Sequence, residues 1–128
     1  MIFDNQGVQT LKGNVVVVED DDLMLSVLVE ILEDMGGTCS GYVTADDALM
    51  GLLTRTSPVA LVVTDYTLPG QLDGREFLMM VKARWPAIPI LLTSGYGSEV
   101  IGDLPDGVAF LQKPWSVAQM TAAVNVLL

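Results

Sequence analysis

Histidine is absent from the 128 residues, and cysteine occurs once, as Cys39. Without histidine there is no imidazole metal site, no Ser-His-Asp or Cys-His nucleophile pair, and no histidine phosphoacceptor in this chain. A single thiol excludes an intrachain disulfide and a thiolate zinc cluster. Basic charge is scarce as well: six Lys and Arg stand against sixteen Asp and Glu, for a formal net charge of −10. The cations (Lys12, Arg55, Arg75, Lys82, Arg84 and Lys113) are scattered along the chain. A nucleic-acid binder concentrates its basic footprint, so direct nucleic-acid contact is not expected. Long apolar runs are also missing. The longest, such as Val59–Val63, have strand length, far short of the ~20 residues of a membrane span. The opening MIFDNQGVQTLKGN has no basic flank followed by an apolar stretch, so it does not read as a signal peptide. These absences point to a cytoplasmic domain without membrane contact.

What the chain does have is hydrophobicity, at 51% of residues and a mean hydropathy of +0.49. Its length suits one domain of about 100–150 residues. A parallel sheet covered on both faces consumes continuous Val, Ile and Leu runs, and such runs recur here between amphipathic stretches. Asn14–Val18, Thr38–Val43, Val59–Thr64, Ile88–Thr93 and Val108–Gln112 read as strands. Leu23–Met35 reads as a helix with Val27, Leu28, Ile31, Leu32 and Met35 on one face, closed by Gly36-Gly37. Thr44 opens a second helix that runs to about Thr54. Asp73 and Glu76 have capping-box spacing for a third carrying Phe77, Leu78, Val81 and Trp85, which Pro86 stops. Ser116 and Gln119 form another box, for a last helix with Val117, Met120, Val124 and Leu127 facing inward. Gly95–Gly107 holds four glycines and a proline, which permits at most two helical turns, around Ser98–Ile101.

Strands alternating with helices predict an α/β domain, a five-stranded parallel sheet in the order 2-1-3-4-5, doubly wound and flavodoxin-like, with a short fourth helix. Ligand chemistry is then expected outside the carboxyl ends of the strands, where the first and third are neighbours. The residues at those ends are Glu19-Asp20-Asp21-Asp22, Asp65, Thr93-Ser94 and Lys113-Pro114. Converging carboxylates repel, and removal from water raises that cost. A divalent cation relieves both penalties, and an all-oxygen site without His or thiolate suits Mg²⁺. The acidic loop after the first strand would repel a cofactor phosphate, and neither G-x-G-x-x-G nor a Walker A pattern is present. Carboxylates, Mg²⁺, a hydroxyl and a lysine fit phosphoryl acceptance on an aspartate. Asp65 would be the nucleophile, Lys113 and Mg²⁺ would neutralise charge, and Ser94 would hydrogen-bond a phosphoryl oxygen.

At these residues the sequence resembles a response-regulator receiver domain, the phosphoacceptor module of two-component and phosphorelay signalling. VVVVEDDD resembles the first strand with its acidic pair, Glu19 and Asp20. LVVTDYTLPGQLDG resembles the phosphoacceptor strand and loop, with Asp65 as acceptor. ILLTSG supplies Ser94 as switch hydroxyl, and FLQKPW supplies Phe110 as switch aromatic and Lys113 with its following proline. The resemblance spans residues 14–128, leaving residues 1–13 as an N-terminal extension or linker. It implies Mg²⁺ ligated by Asp20 and Asp65, by Glu19 through water and by the Thr67 backbone carbonyl, with a cis Lys113–Pro114 bond. It also implies a histidine kinase or histidine phosphotransfer protein as phosphodonor, and an output partner.

The chain departs from the commoner pattern in three places. LPGQLDG carries one residue more than LPGMDG, a variant frequent in receivers of hybrid histidine kinases. Phe110 lacks the hydroxyl of a tyrosine switch, and the Gly95–Gly107 stretch is poor in helix formers. Two rival readings are a Mg²⁺-dependent phosphoaspartyl hydrolase and a receiver-like module used only for protein contact. The first usually shows Asp-x-Asp at the nucleophile, where this chain has Asp65-Tyr66-Thr67. The second is expected to lose Asp65, Asp20 or Lys113, and all three are present. Cys39 alone reads as a small buried hydrophobe on the second strand.

Overall fold

The computed structural model describes residues 11–128; residues 1–10 of the expected extension lie outside that range. Within it the chain runs β1 (Gly13–Val18), α1 (Asp22–Asp34), β2 (Gly37–Tyr42), α2 (Ala45–Thr54), β3 (Val59–Asp65), α3 (Gly74–Arg84), β4 (Ile90–Ser94), α4 (Ser98–Ile101), β5 (Val108–Gln112) and α5 (Val117–Leu127). The strands form one parallel sheet in the order β2-β1-β3-β4-β5, as the alternation of runs predicts.

The sheet separates two apolar layers, because successive side chains of a strand point to opposite faces. Val15, Val17, Leu61, Val63 and Leu91 pack with Leu28, Leu32, Met120 and Val124 beneath α1 and α5. Val16, Val18, Val62, Ile90 and Leu92 pack with Ala48, Phe77, Leu78 and Val81 beneath α2 and α3. Leu11 is fully buried in the first layer, so the packed core reaches two residues upstream of β1.

Helix starts follow the capping chemistry read from the sequence. Thr44 accepts from Asp47 N–H at 3.1 Å, and capping boxes close on Asp73 with Glu76 and on Ser116 with Gln119. Differences are local and have physical causes. Strand β4 begins at Ile90 rather than Ile88, because the Ile88 N–H is spent on Trp85 O at 3.1 Å and Pro89 has no N–H. Met35 is the C-cap of α1 and Gly36 (φ 114°) makes the reversal beyond it, while Gly37 already belongs to β2. Val117, expected to face inward, is 58% exposed. It is the first residue after the Ser116 cap, where the helix has not yet turned toward the sheet.

Candidate functional site

The carboxyl ends of β1 and β3 are adjacent in the sheet, with Val18 paired to Thr64. That pairing brings Glu19, which follows β1, beside Asp65, which ends β3. Both are buried, at 1% and 6% exposure, whereas Asp20 is exposed. One carboxylate oxygen from each of Glu19, Asp20 and Asp65 lies within 4.8 Å of the others. Asp21 is turned away: it caps α1 by accepting from Met24 N–H at 3.0 Å, and its own N–H donates to Glu19 Oε2 at 3.1 Å.

Lys113 completes the cluster from the end of β5. Its Nζ donates to Asp65 Oδ2 at 2.8 Å and to Glu19 Oε1 at 3.0 Å. The lysine is held there by its backbone, whose N–H donates to Ser94 O at 2.7 Å, and the Lys113–Pro114 peptide is cis. Burial alone would lower the Lys113 pKa, but the bonds to Asp65 and Glu19 outweigh it and hold the ammonium above its ordinary value. Burial pushes the Glu19 carboxyl up, against the opposing bonds from the Asp21 N–H and Lys113. One ammonium among three carboxylates leaves an excess of negative charge in a partly desolvated cleft. An all-oxygen donor set with that excess fits a hard divalent cation.

Ser94 is buried at the end of β4, beside β3, and its Oγ accepts from Tyr96 N–H at 2.9 Å. That bond leaves the Ser94 hydroxyl hydrogen free to be donated elsewhere. Thr67 is exposed in the loop two residues beyond Asp65. Phe110 is half-buried on β5, opposite Leu92 and packed against the α2–α3 layer. The cluster at the strand ends therefore comprises Glu19, Asp20, Asp65 and Lys113, with Ser94 at its side and Phe110 behind the sheet.

Several residues that shape the cleft carry no local signal in the sequence. Asp46, at the start of α2, accepts from Gln71 and Leu72 N–H at 3.2 and 3.3 Å and pins the lengthened β3–α3 loop. Arg75 donates to Ile101 O at 3.0 Å and Asp103 O at 3.2 Å, tying α4 to α3. Tyr66 and Tyr96 meet edge to face, with ring centroids 6.2 Å apart, between the β3–α3 and β4–α4 loops. The loop's extra residue was the only hint that it needed an anchor. The Asp46 and Arg75 partners lie 25 or more positions away in sequence.

A family model described as the response regulator receiver domain matches residues 15–125. The chain belongs to the response regulator receiver domain family. Among relatives, it is 33% identical over 127 aligned residues to the transcriptional regulatory protein FixJ of Bradyrhizobium diazoefficiens, covering 91% of this chain and 57% of that protein. It is 28% identical over 117 residues to the DNA-binding transcriptional regulator NtrC of Salmonella typhimurium, covering 89% of this chain and 24% of that one. This receiver thus spans about half, or less, of these relatives. A response regulator receiver protein from Sinorhizobium medicae superposes with a TM-score of 0.80 at 24% identity, over 91% of this chain and 94% of that one. The receiver domain of the hybrid histidine kinase CckA superposes at 0.76 and 25% identity, over 90% and 98%. No helix among the described residues is long and apolar enough to cross a membrane.

Proposed function

We propose that Asp65 accepts a phosphoryl group from the phospho-histidine of a partner kinase or phosphotransfer protein, in the cytoplasm, and that an output partner reads the resulting change. The observation that carries this is the Lys113 ammonium bridging Asp65 Oδ2 and Glu19 Oε1 beside the open carboxylate of Asp20. An Asp65 carboxylate oxygen forms the new P–O bond while the P–N bond to the donor imidazole breaks and its electron pair returns to nitrogen. Lys113 sits where negative charge accumulates on the transferring group, and the free Ser94 hydroxyl hydrogen is available to one phosphoryl oxygen. Glu19, Asp20, Asp65 and the Thr67 carbonyl would hold Mg²⁺, which when bound supplies further neutralisation of phosphoryl charge. Phe110, paired beside Leu92 on the neighbouring strand, is the aromatic whose burial would change with the engagement of Ser94.

The test is direct. With Mg²⁺ and acetyl phosphate the protein should gain one hydroxylamine-sensitive phosphoryl group, detected by intact mass. Asp65→Asn should gain none; labelling that persists in that variant would remove Asp65 from the role.

A further inference from the structure

We infer that the free edge of β2 and the groove beside α1 form a docking site for an extended, positively charged segment of a partner protein, which adds as a sixth strand. Strand β2 pairs with β1 alone among the described residues. Tyr42 O accepts from Glu19 N–H at 3.0 Å, so by the alternation of a parallel ladder Thr38 and Ser40 also face β1. The N–H and C=O groups of Cys39 and Gly41 then point to the open side. An edge of this kind is normally blunted by lysine, proline or a bulge. GTCSGY has neither residue, and its register with β1 is unbroken.

Beside that edge runs a groove of about 450 Å³ lined by Leu25, Val29 and Gly41, with Glu30, Glu33 and Asp34 on its rim. Gly41 lets the Leu25 side chain lie close over the strand, since a Cβ there would stand 3.2 Å from Leu25 Cδ1, and a larger side chain at 41 would project into the groove that both residues line. The three rim carboxylates are exposed, and the only ion pairs among the described residues are the two made by Lys113. An apolar floor, an unpaired backbone edge and uncompensated carboxylates together fit a strand that alternates apolar and basic side chains. Backbone bonds would supply affinity, and pockets for alternate side chains would supply specificity. A second copy of this chain is disfavoured, since a net charge of −10 would meet itself.

The site is distinct from the Asp65 cluster, and its test needs no phosphodonor. The probe is a seven-residue peptide alternating lysine and valine, titrated into the ¹⁵N-labelled full chain and followed by amide chemical shifts. The expected result is perturbation confined to Thr38–Val43 and Leu25–Asp34, with slowed hydrogen exchange at Cys39 and Gly41. The same peptide with proline at its centre should bind at least tenfold more weakly, as should the original peptide against Glu30→Lys/Glu33→Lys. Gly41→Val, which fills the groove, should lose the perturbation while its remaining amide spectrum stays native. Equal binding of the proline peptide would mean attraction by net charge alone and overturn the inference. Perturbation centred on Asp20–Asp22, a self-association signal in place of peptide binding, or no perturbation at millimolar peptide would do the same.

Discussion

Gly74 is where the helix that follows the acidic cleft touches the strand that carries Asp65. A Cβ at this position would lie 2.0 Å from the Asp65 carbonyl oxygen and 2.7 Å from Tyr66 Cα. Side-chain carbons do not approach backbone atoms closer than 3.0 Å, so Gly74→Ala requires the two segments to part by about 1 Å. Neither can give easily. Asp65 is paired with Thr93 in the middle of the sheet, and Gly74 N–H donates to Tyr66 O at 3.0 Å. Overpacking costs about 1–3 kcal/mol and a weakened backbone hydrogen bond about 1 kcal/mol more. The intrinsic helix preference of alanine returns about 1 kcal/mol. A net loss of about 1–3 kcal/mol is expected in urea unfolding followed by the fluorescence of Trp85 and Trp115. A 1 Å misplacement of a reacting group costs about 100-fold in rate, so phosphorylation by acetyl phosphate should slow by about that factor in the folded variant. Gly95→Ala is the control: no atom lies within 4 Å of its Cβ position, and the change should be neutral or stabilising by up to about 1 kcal/mol. If Gly74→Ala costs under about 0.5 kcal/mol and leaves the rate intact, the close approach does not position Asp65.

Three further outcomes can be measured. Burial pushes the Cys39 thiol up to about 11, with the Glu33 carboxylate adding to it. Its linked stability is therefore complete below the ordinary thiol pKa and is lost as pH rises through about 11. At pH 8 the native thiol should alkylate about 100-fold more slowly than the urea-unfolded one, given an ordinary thiol pKa of 9.0, and a native rate that levels off near pH 9 would refute it. Because α4 has a single turn tied down by Arg75, amides 96–106 should exchange faster than those of Phe77–Ala83. Arg75→Ala should speed them further, and protection equal to that of α3 in either protein would contradict this. In Mg²⁺ titrations read by Trp115 fluorescence, Asp20→Asn should weaken binding about tenfold and Asp21→Asn little, since Asp21 caps α1. Equal losses would show that the acidic loop has been misread.

The order of elements and the capping residues were legible because each depends on local chemistry, and the strand order because right-handed crossovers leave few orders, of which 2-1-3-4-5 is the common one. Val runs, Thr44, Asp73 and Ser116 act within a few residues of themselves. The candidate cluster was legible for a related reason. In a parallel sheet every strand delivers its last residues to one edge, so reading strand ends also reads the cleft that holds Glu19, Asp65 and Lys113. Side-chain direction near a helix cap was less secure, and Val117 shows it. Only the tertiary structure could decide which distant groups meet. Asp46 holds the β3–α3 loop, Arg75 holds α4, and Gly74 lies against Asp65. The groove beside β2 likewise exists because an edge strand of small residues passes under α1. These contacts depend on helix placement over the sheet, and helix placement is set by packing of the whole core rather than by any run of residues within it.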